Sequence, residues 1–251
     1  MTSKAPSPVN EIARYCFGLY AWAVFCVSVL LAVFCTLLIP GLTRRRRWVT
    51  RCARLTFHMT RVPVRVRGLA NLPTGDCVVV ANHASYLDGV LLQGYLPPRF
   101  SYVIKGEMGR IPVVSFLLRR IGSRFVERFD ASGSRRDARR LVRAASAGES
   151  LAVFPEGTFI AEPGLGAFRP GAFTAAIRGS LPIVPVVISG TRDILPAEKF
   201  LPRYGHLEID ILSPISGDHP AWGDSRRLAA VARASILEVL DEPDLLADGD
   251  D

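Results

Sequence analysis

The chain has 251 residues, 49% of them hydrophobic, and 31 Lys and Arg against 23 Asp and Glu, for a formal charge of +8. That length suits one well-buried domain with an appendage, and the basic balance points to an anionic partner, either nucleic acid or an anionic membrane. Five cysteines, three of them in one apolar run, give neither a disulfide framework nor a zinc spacing and fit a reducing, cytoplasmic active domain.

Residues 1–11 are polar and contain proline, which reads as a mobile terminus. Residues 15–39 then carry no charge and are almost wholly apolar. As a helix this run reaches ~37 Å, long enough for a hydrocarbon core. Four arginines, Arg44 to Arg47, follow at once and mark a cytoplasmic flank. A signal peptide would show a small-residue cleavage site, and a core helix would not need four arginines at its end. The clustering beside a membrane segment accounts for the positive charge better than nucleic-acid binding does. Residues 46–60 mix Arg46, Arg47, Arg51 and Arg54 with Trp48, Val49, Leu55 and Phe57, as a basic interfacial helix would.

From residue 62 the pattern changes. Residues 62–68 alternate like an edge strand. Short strands are expected at 77–81, 101–105, 124–128, 151–154, 181–189 and 206–212. Helices are expected from residue 89, at 112–121, 135–147 and 170–178, and at 224–241, with a loop at 130–134. The acidic end reads as a disordered tail. Strands alternating with helices imply an α/β fold, a largely parallel central sheet flanked by helices, with an N-terminal membrane-anchoring helical segment. The expected division is 1–60 for the tail, apolar helix and basic helix, 61–240 for the α/β domain, and 241–251 for the acidic tail.

Two strand ends carry the chemistry. Asn82-His83-Ala84-Ser85-Tyr86-Leu87-Asp88 lies where a buried strand hands over to a helix, the place where α/β sheets bind ligands. His83 suits proton transfer near neutral pH, and a carboxylate beside it fixes its tautomer. Inside one ideal helix His83 and Asp88 would lie ~140° apart and would not meet. They meet only if His83 sits in the loop and the helix starts later, which Ser85 as an N-cap allows. The same residues also fit a capping box in which Asp88 only satisfies backbone amides. Phe154-Pro155-Glu156-Gly157-Thr158 likewise follows a strand; Glu156 stands in a tight turn, either exposed or facing a polyol substrate at the same sheet edge. Arginines around residues 124–128 suit phosphate, and Lys105 ends a strand where an inward lysine would serve an oxyanion; both are otherwise surface charges. The prolines of 181–186 suggest an edge strand or a substrate-lining one. No G-x-S-x-G elbow, P-loop or strand-linked G-x-G-x-x-G is present, and Gly164-Leu165-Gly166 reads as a loop fragment.

Four blocks in this order resemble the glycerolipid, lysophosphatidic acid-type acyltransferase family. His83 to Asp88 match its H-x-x-x-x-D motif, residues 122–128 look like its second block, 154–158 match its third, and 181–186 are similar to its Pro-rich fourth. The likeness spans roughly residues 60–215. It departs at Phe159, where the family commonly has a phosphate-binding arginine. Arg169 or Arg128 is then the expected substitute.

The resemblance implies an O-acyltransferase at the cytoplasmic face of the inner membrane. It moves a fatty acyl chain from acyl-CoA or acyl carrier protein to a lysophospholipid, foremost 1-acylglycerol 3-phosphate. His83 would be the general base and Asp88 its orienting partner. Glu156, Gly157 and Thr158 would hold the glycerol end, Arg128 or Arg169 the phosphate, and Lys105 or backbone N–H groups near the helix start the oxyanion. No metal and no prosthetic group is expected. The alternatives are the same chemistry on a lyso-ornithine lipid or other lysolipid, which Phe159 motivates, and a catalytically silent lipid-binding protein of the same fold.

Overall fold

The computed structural model of the chain describes residues 8–126 and 131–247. Its centre is a sheet of β1 (Val64–Arg67), β2 (Val78–Ala81), β3 (Ser101–Lys105), β4 (Arg124–Val126), β5 (Leu151–Val153), β6 (Ile183–Ser189) and β7 (Leu207–Ile211). Across the sheet the order is β1-β7-β6-β2-β5-β3-β4. From β6 to β4 every neighbouring pair is parallel. β7 runs antiparallel to β6 and carries β1 beside it at the far edge. The largely parallel α/β sheet is the one the strand–helix alternation implies, with β1 on the edge as expected.

Helices cover both faces: α1 (Pro8–Leu38), α2 (Leu42–Met59), α3 (Leu87–Tyr95), α4 (Pro112–Arg120), α5 (Ala131–Ser146), α6 (Gly171–Gly179), α7 (Thr191–Ile194) and α8 (Ser225–Leu237). Alternation along β2 fixes the layers, because successive side chains point to opposite faces. Val78 and Val80 meet Leu141 of α5, Phe173 of α6 and Leu228 of α8. Val79 and Ala81 meet Leu91 and Leu92 of α3 and Phe57 of α2. A strand buried on both faces has to be apolar throughout, and every residue of β2 is.

The structure departs from the sequence reading at several places. β6 is an interior strand despite its prolines. The Pro185 carbonyl accepts from Leu212 N, so its nitrogen faces β7 as well, at the point where that ladder stops. The missing N–H therefore leaves the pairing with β2 intact. The expected loop at 130–134 is already α5 from Ala131. Residues 241–247 are not a free tail. Leu165 N donates to Pro243 O, Arg233 pairs with Asp244, and Leu240 joins Leu165 and Ile236 in a small apolar cluster. These contacts outweigh the acidic composition that suggested disorder.

Residue 60 is likewise no packing boundary. α2 lies against α3 and places Phe57 in the core beside β2. Arg46, expected at a membrane interface, is buried. Its guanidinium donates to Ile121 O (2.8 Å), Arg99 O (2.7 Å) and Ser101 Oγ (2.6 Å), tying α2 to the edge of the sheet. Burial lowers the Arg46 pKa, but arginine's intrinsic value is so high that the cation persists. Arg44, Arg47 and Arg51 remain exposed. α1 is long and apolar enough to cross a membrane, and Leu19, Val27, Leu30, Phe34, Leu37 and Leu38 are exposed along it. It is also fastened to the body, through Tyr20 Oη to Met59 O, Trp22 Nε1 to Phe200 O, and Arg120 to Thr36 O.

Arg46→Ala strands two carbonyls and a hydroxyl, and a charged donor's hydrogen bonds are worth ~1.5–3 kcal/mol each, so a loss of about 3 kcal/mol is expected. Arg47→Ala, on the exposed side of the same helix, should stay within about 0.5 kcal/mol. Thermal unfolding of both variants in detergent separates the two.

Candidate active site

Strand β2 ends at Ala81 and α3 begins at Leu87, so residues 82–86 form the turn between them. Asn82 pins its start: its side chain donates to Ile188 O (2.9 Å) and accepts from Ile188 N (2.7 Å) on β6. Ser85 Oγ donates to Leu195 O (2.7 Å) and accepts from Leu87 N (3.2 Å). His83 is thus in the loop and Asp88 in the first helical turn, the one arrangement that lets them meet. His83 Nδ1 lies 2.8 Å from Asp88 Oδ2.

The same Oδ2 accepts from Ala84 N (2.7 Å) and Ser85 N (2.9 Å). Asp88 therefore satisfies backbone amides and partners the histidine at once; the two readings of the motif are not exclusive. The Asp88 side chain is fully buried, whereas the His83 ring is 17% exposed. An ionised carboxylate only accepts, so Nδ1 is the ring nitrogen that donates to Asp88 and Nε2 is the one not engaged by it.

Glu156 comes from the end of β5, next to β2 in the sheet. Its Oε1 accepts from His83 N (2.7 Å) and its Oε2 from Gly166 N (2.9 Å). The glutamate thus holds the histidine's backbone to the loop after β5, a role the sequence did not reveal. Burial raises the Glu156 pKa, while the two amide bonds and the nearby imidazole oppose that rise. Gly157 sits at φ +88°, a left-handed conformation that suits glycine, and its amide closes the turn onto Phe154 O (3.1 Å). A side chain at Gly166 would stand 3.1 Å from Glu156 Oε2, so a residue dismissed as loop filler is what lets that amide approach.

Aromatic rings wall in the imidazole. Phe154 stacks on it with centroids 4.2 Å apart, and Phe159 meets it edge-on at 4.6 Å. Phe159 also packs against Tyr86 at 4.8 Å. The residue read as a missing arginine has a packing task beside His83. A cleft of about 170 Å³ opens next to the ring, bounded by Glu156, Thr158, Ile160, Arg192 and Leu245.

Of the residues picked from the sequence, His83, Asp88, Glu156, Gly157 and Thr158 come together. Lys105 is at the matching end of β3, but its Nζ pairs with Glu107 (2.9 Å) and it does not line the cleft. Arg169 is exposed and away from the cleft lining; only its amide is engaged, with Pro155 O (3.0 Å). Arg128 lies outside the described residues. Arg124 of the same block pairs with Glu149. Sequence reasoning missed Arg192, Gly166 and Leu245. Arg192 follows the end of β6, so the rule that placed His83 and Glu156 would have found it. Leu245 carried no signal. Among the described residues no three His, Cys, Asp or Glu side chains converge as metal ligands.

The profile of the family named Acyltransferase matches residues 63–189. The chain is 33% identical to the chloroplast 1-acyl-sn-glycerol-3-phosphate acyltransferase BAT2 of Brassica napus, over 61% of this chain and 45% of that protein. It spans about half the length of the chloroplast relatives it matches. It is 32% identical to the lyso-ornithine lipid O-acyltransferase of Pseudomonas aeruginosa, over 79% of this chain and 68% of that protein. The fold is similar to the crystal structure of the 1-acyl-sn-glycerophosphate acyltransferase PlsC of Thermotoga maritima. The TM-score is 0.75 and the identity 22%, over 91% of this chain and 97% of that one.

The raised Glu156 pKa has a definite sign in stability. The native state holds that proton more readily than the unfolded chain, so the contribution is full below the ordinary carboxyl range and is lost as pH rises through the raised value. Glu156→Gln cannot titrate. Its unfolding free energy is expected to fall less steeply with rising pH across the acidic range than the wild type's, as measured by denaturant titration in detergent.

Proposed function

Because the chain belongs to the acyltransferase family, we propose that it moves a fatty acyl chain from an acyl thioester to the free hydroxyl of a lysophospholipid, with 1-acyl-sn-glycerol 3-phosphate as acceptor and phosphatidic acid as product. The observation that carries this reading is the His83–Asp88 pair beside an open cleft at the carboxyl edge of the parallel sheet. Nε2 of His83 takes the hydroxyl proton as the oxygen attacks the thioester carbonyl, a role worth ~10²–10⁴ in rate. Asp88, held through Nδ1, stabilises the imidazolium that forms. The tetrahedral intermediate collapses with loss of the C–S bond, and the imidazolium returns its proton to the leaving thiolate. Acyl-CoA and acyl carrier protein both supply such a thioester.

Direct attack is the simpler scheme. Ser85, two residues beyond His83, turns its hydroxyl to Leu195 O and offers no nucleophile. The amides of Ala84 and Ser85 are taken by Asp88, so they are not oxyanion donors. Thr158 is the hydroxyl-bearing residue of the cleft and serves the glycerol end. α1 and the exposed Arg44, Arg47 and Arg51 hold the enzyme on the anionic inner-membrane surface, with the catalytic domain on the cytoplasmic side.

A second reading keeps the chemistry and changes the acceptor to a lyso-ornithine lipid. Two observations favour it: Phe159 where a phosphate-binding arginine is expected, and the likeness to the Pseudomonas enzyme.

His83→Ala is expected to lower transfer by about 10² or more while leaving vesicle binding unchanged, with a lower melting temperature because Asp88 loses one of its three donors. Wild-type turnover by the purified variant would remove His83 from the scheme. A panel of lysolipids assayed with both thioester donors decides the acceptor. Transfer to 1-acylglycerol 3-phosphate above all others supports the first reading, and transfer confined to phosphate-free acceptors supports the second. No lysolipid-dependent consumption of thioester would leave a silent lipid-binding protein.

A further inference from the structure

The stretch between β5 and α6 bounds the cleft through Thr158, Ile160 and Gly166, yet it contains no regular helix or strand pairing of its own beyond one bridge to Asp244. What fixes it is the segment after α8. Gly164 N donates to Glu242 Oε2 (2.7 Å), Leu165 N to Pro243 O (2.9 Å), and Leu245 N to Leu165 O (3.3 Å). Gly164 is at φ +139°, and a side chain there would strike Leu245 at 2.5 Å, so the two strands of chain lie close only because Gly164 is glycine.

Arg192 closes the arrangement from β6. Its Nε and Nη2 hold the two oxygens of Glu242 (3.0 and 3.1 Å), and its Nη1 donates to Ile160 O (2.7 Å) and Ala161 O (3.1 Å). Arg233 adds a clamp on the carbonyls of Leu165 (2.6 Å) and Gly166 (2.8 Å). Gly166, next after Leu165 in the loop, then offers its amide to Glu156, whose other oxygen takes His83 N. One hydrogen-bonded path therefore runs from Glu242 to the backbone of His83.

We propose that Glu242 and Arg192 are a positioning pair for His83: the C-terminal segment acts as a strap that holds the loop after β5, and through Glu156 fixes the height of the imidazole over the cleft. The catalytic part of this inference rests on the acyl-transfer reading. Arg192 is here a positioning residue and not the acceptor's phosphate ligand, because four of its five N–H donors are engaged by Glu242 and two carbonyls.

The test uses the full chain in detergent, with Glu242→Ala, Arg192→Ala, the double variant, and Glu242→Gln, which keeps an oxygen for Gly164 N while losing the ion pair. Each alanine variant should lower kcat about 10–100-fold, as small misplacement of a catalytic group does, with acceptor KM nearly unchanged. The double variant should fall no further than the single ones, and Glu242→Gln should lie between wild type and Glu242→Ala. Amide hydrogen exchange gives a reading that needs no turnover. Gly166 and His83 amides should exchange faster in Glu242→Ala and Glu242→Gln, with β7 amides unchanged. Unaltered exchange at those two amides overturns the proposal. So does a large rise in acceptor KM in Arg192→Ala with a fall in Glu242→Ala, which would make Arg192 the anion ligand. Wild-type protein inactive on every lysolipid rejects the acyl-transfer reading alone, and the exchange result still decides the strap.

Discussion

One oxygen atom organises the site. Asp88 Oδ2 collects three N–H groups, two from the backbone of the turn after β2 and one from the imidazole. The carboxylate is out of water, where an unpaired charge would be expensive, so these donors are what make its burial tolerable. The constraint works in the other direction too. Three donors converging on one atom fix the turn, and His83 lines the cleft from it. Orientation of the histidine and stability of the turn are therefore one interaction and not two.

That economy explains how much could be read from residues alone. The sheet's composition, the edge position of β1 and the strand–helix handovers follow from apolar runs of strand length set between turn residues. The meeting of His83 and Asp88 required only that the helix begin late, which Ser85 signals. The unread parts all depend on non-local contacts. Arg46 looks like its basic neighbours until the fold brings Arg99, Ser101 and Ile121 around it. Gly166 matters only because Glu156 arrives above it. The terminal segment has the composition of a free tail, and only its proximity to Leu165 and Arg233 gives it a place. Phe159 marks the limit of motif reasoning. Compared with a pattern it is an absence, whereas beside His83 and Tyr86 it is a wall.

The aromatic enclosure and the carboxylate act on the imidazole in complementary ways. Phe154 stacks on the ring and Phe159 meets it edge-on, and the ring also borders the cleft. On the proposed acyl-transfer reading, such enclosure favours a hydroxyl delivered in a fixed pose over bulk water, which would also hydrolyse a thioester. Position 159 carries a phenyl ring and no cation. Among the described residues that bound the cleft, the arginine present is already bidentate to Glu242. The charge of Arg192 at the cleft is thus offset by Glu242, so on the proposed reading a headgroup would meet a largely neutralised surface.

The anchor and the chemistry share a layer of the structure. Asp88 is carried by α3, α3 packs on α2 through the core that contains Leu91, Leu92 and Phe57, and α2 is antiparallel to the apolar α1 across a short turn. A tether of flexible chain would let the catalytic domain tumble at the lipid surface and would place the cleft at the right depth only part of the time. Here the buried Arg46, the Tyr20 and Trp22 bonds and the Arg120 bond to Thr36 O remove that freedom. On the proposed membrane reading, seating α1 among lipids would fix α2, and through it α3 and Asp88, relative to the lipid surface. On that reading a lysolipid held in the bilayer would have only its own headgroup motion left to bring a hydroxyl to His83. The entropic cost of aligning enzyme and acceptor has been met in folding and insertion, not at each encounter.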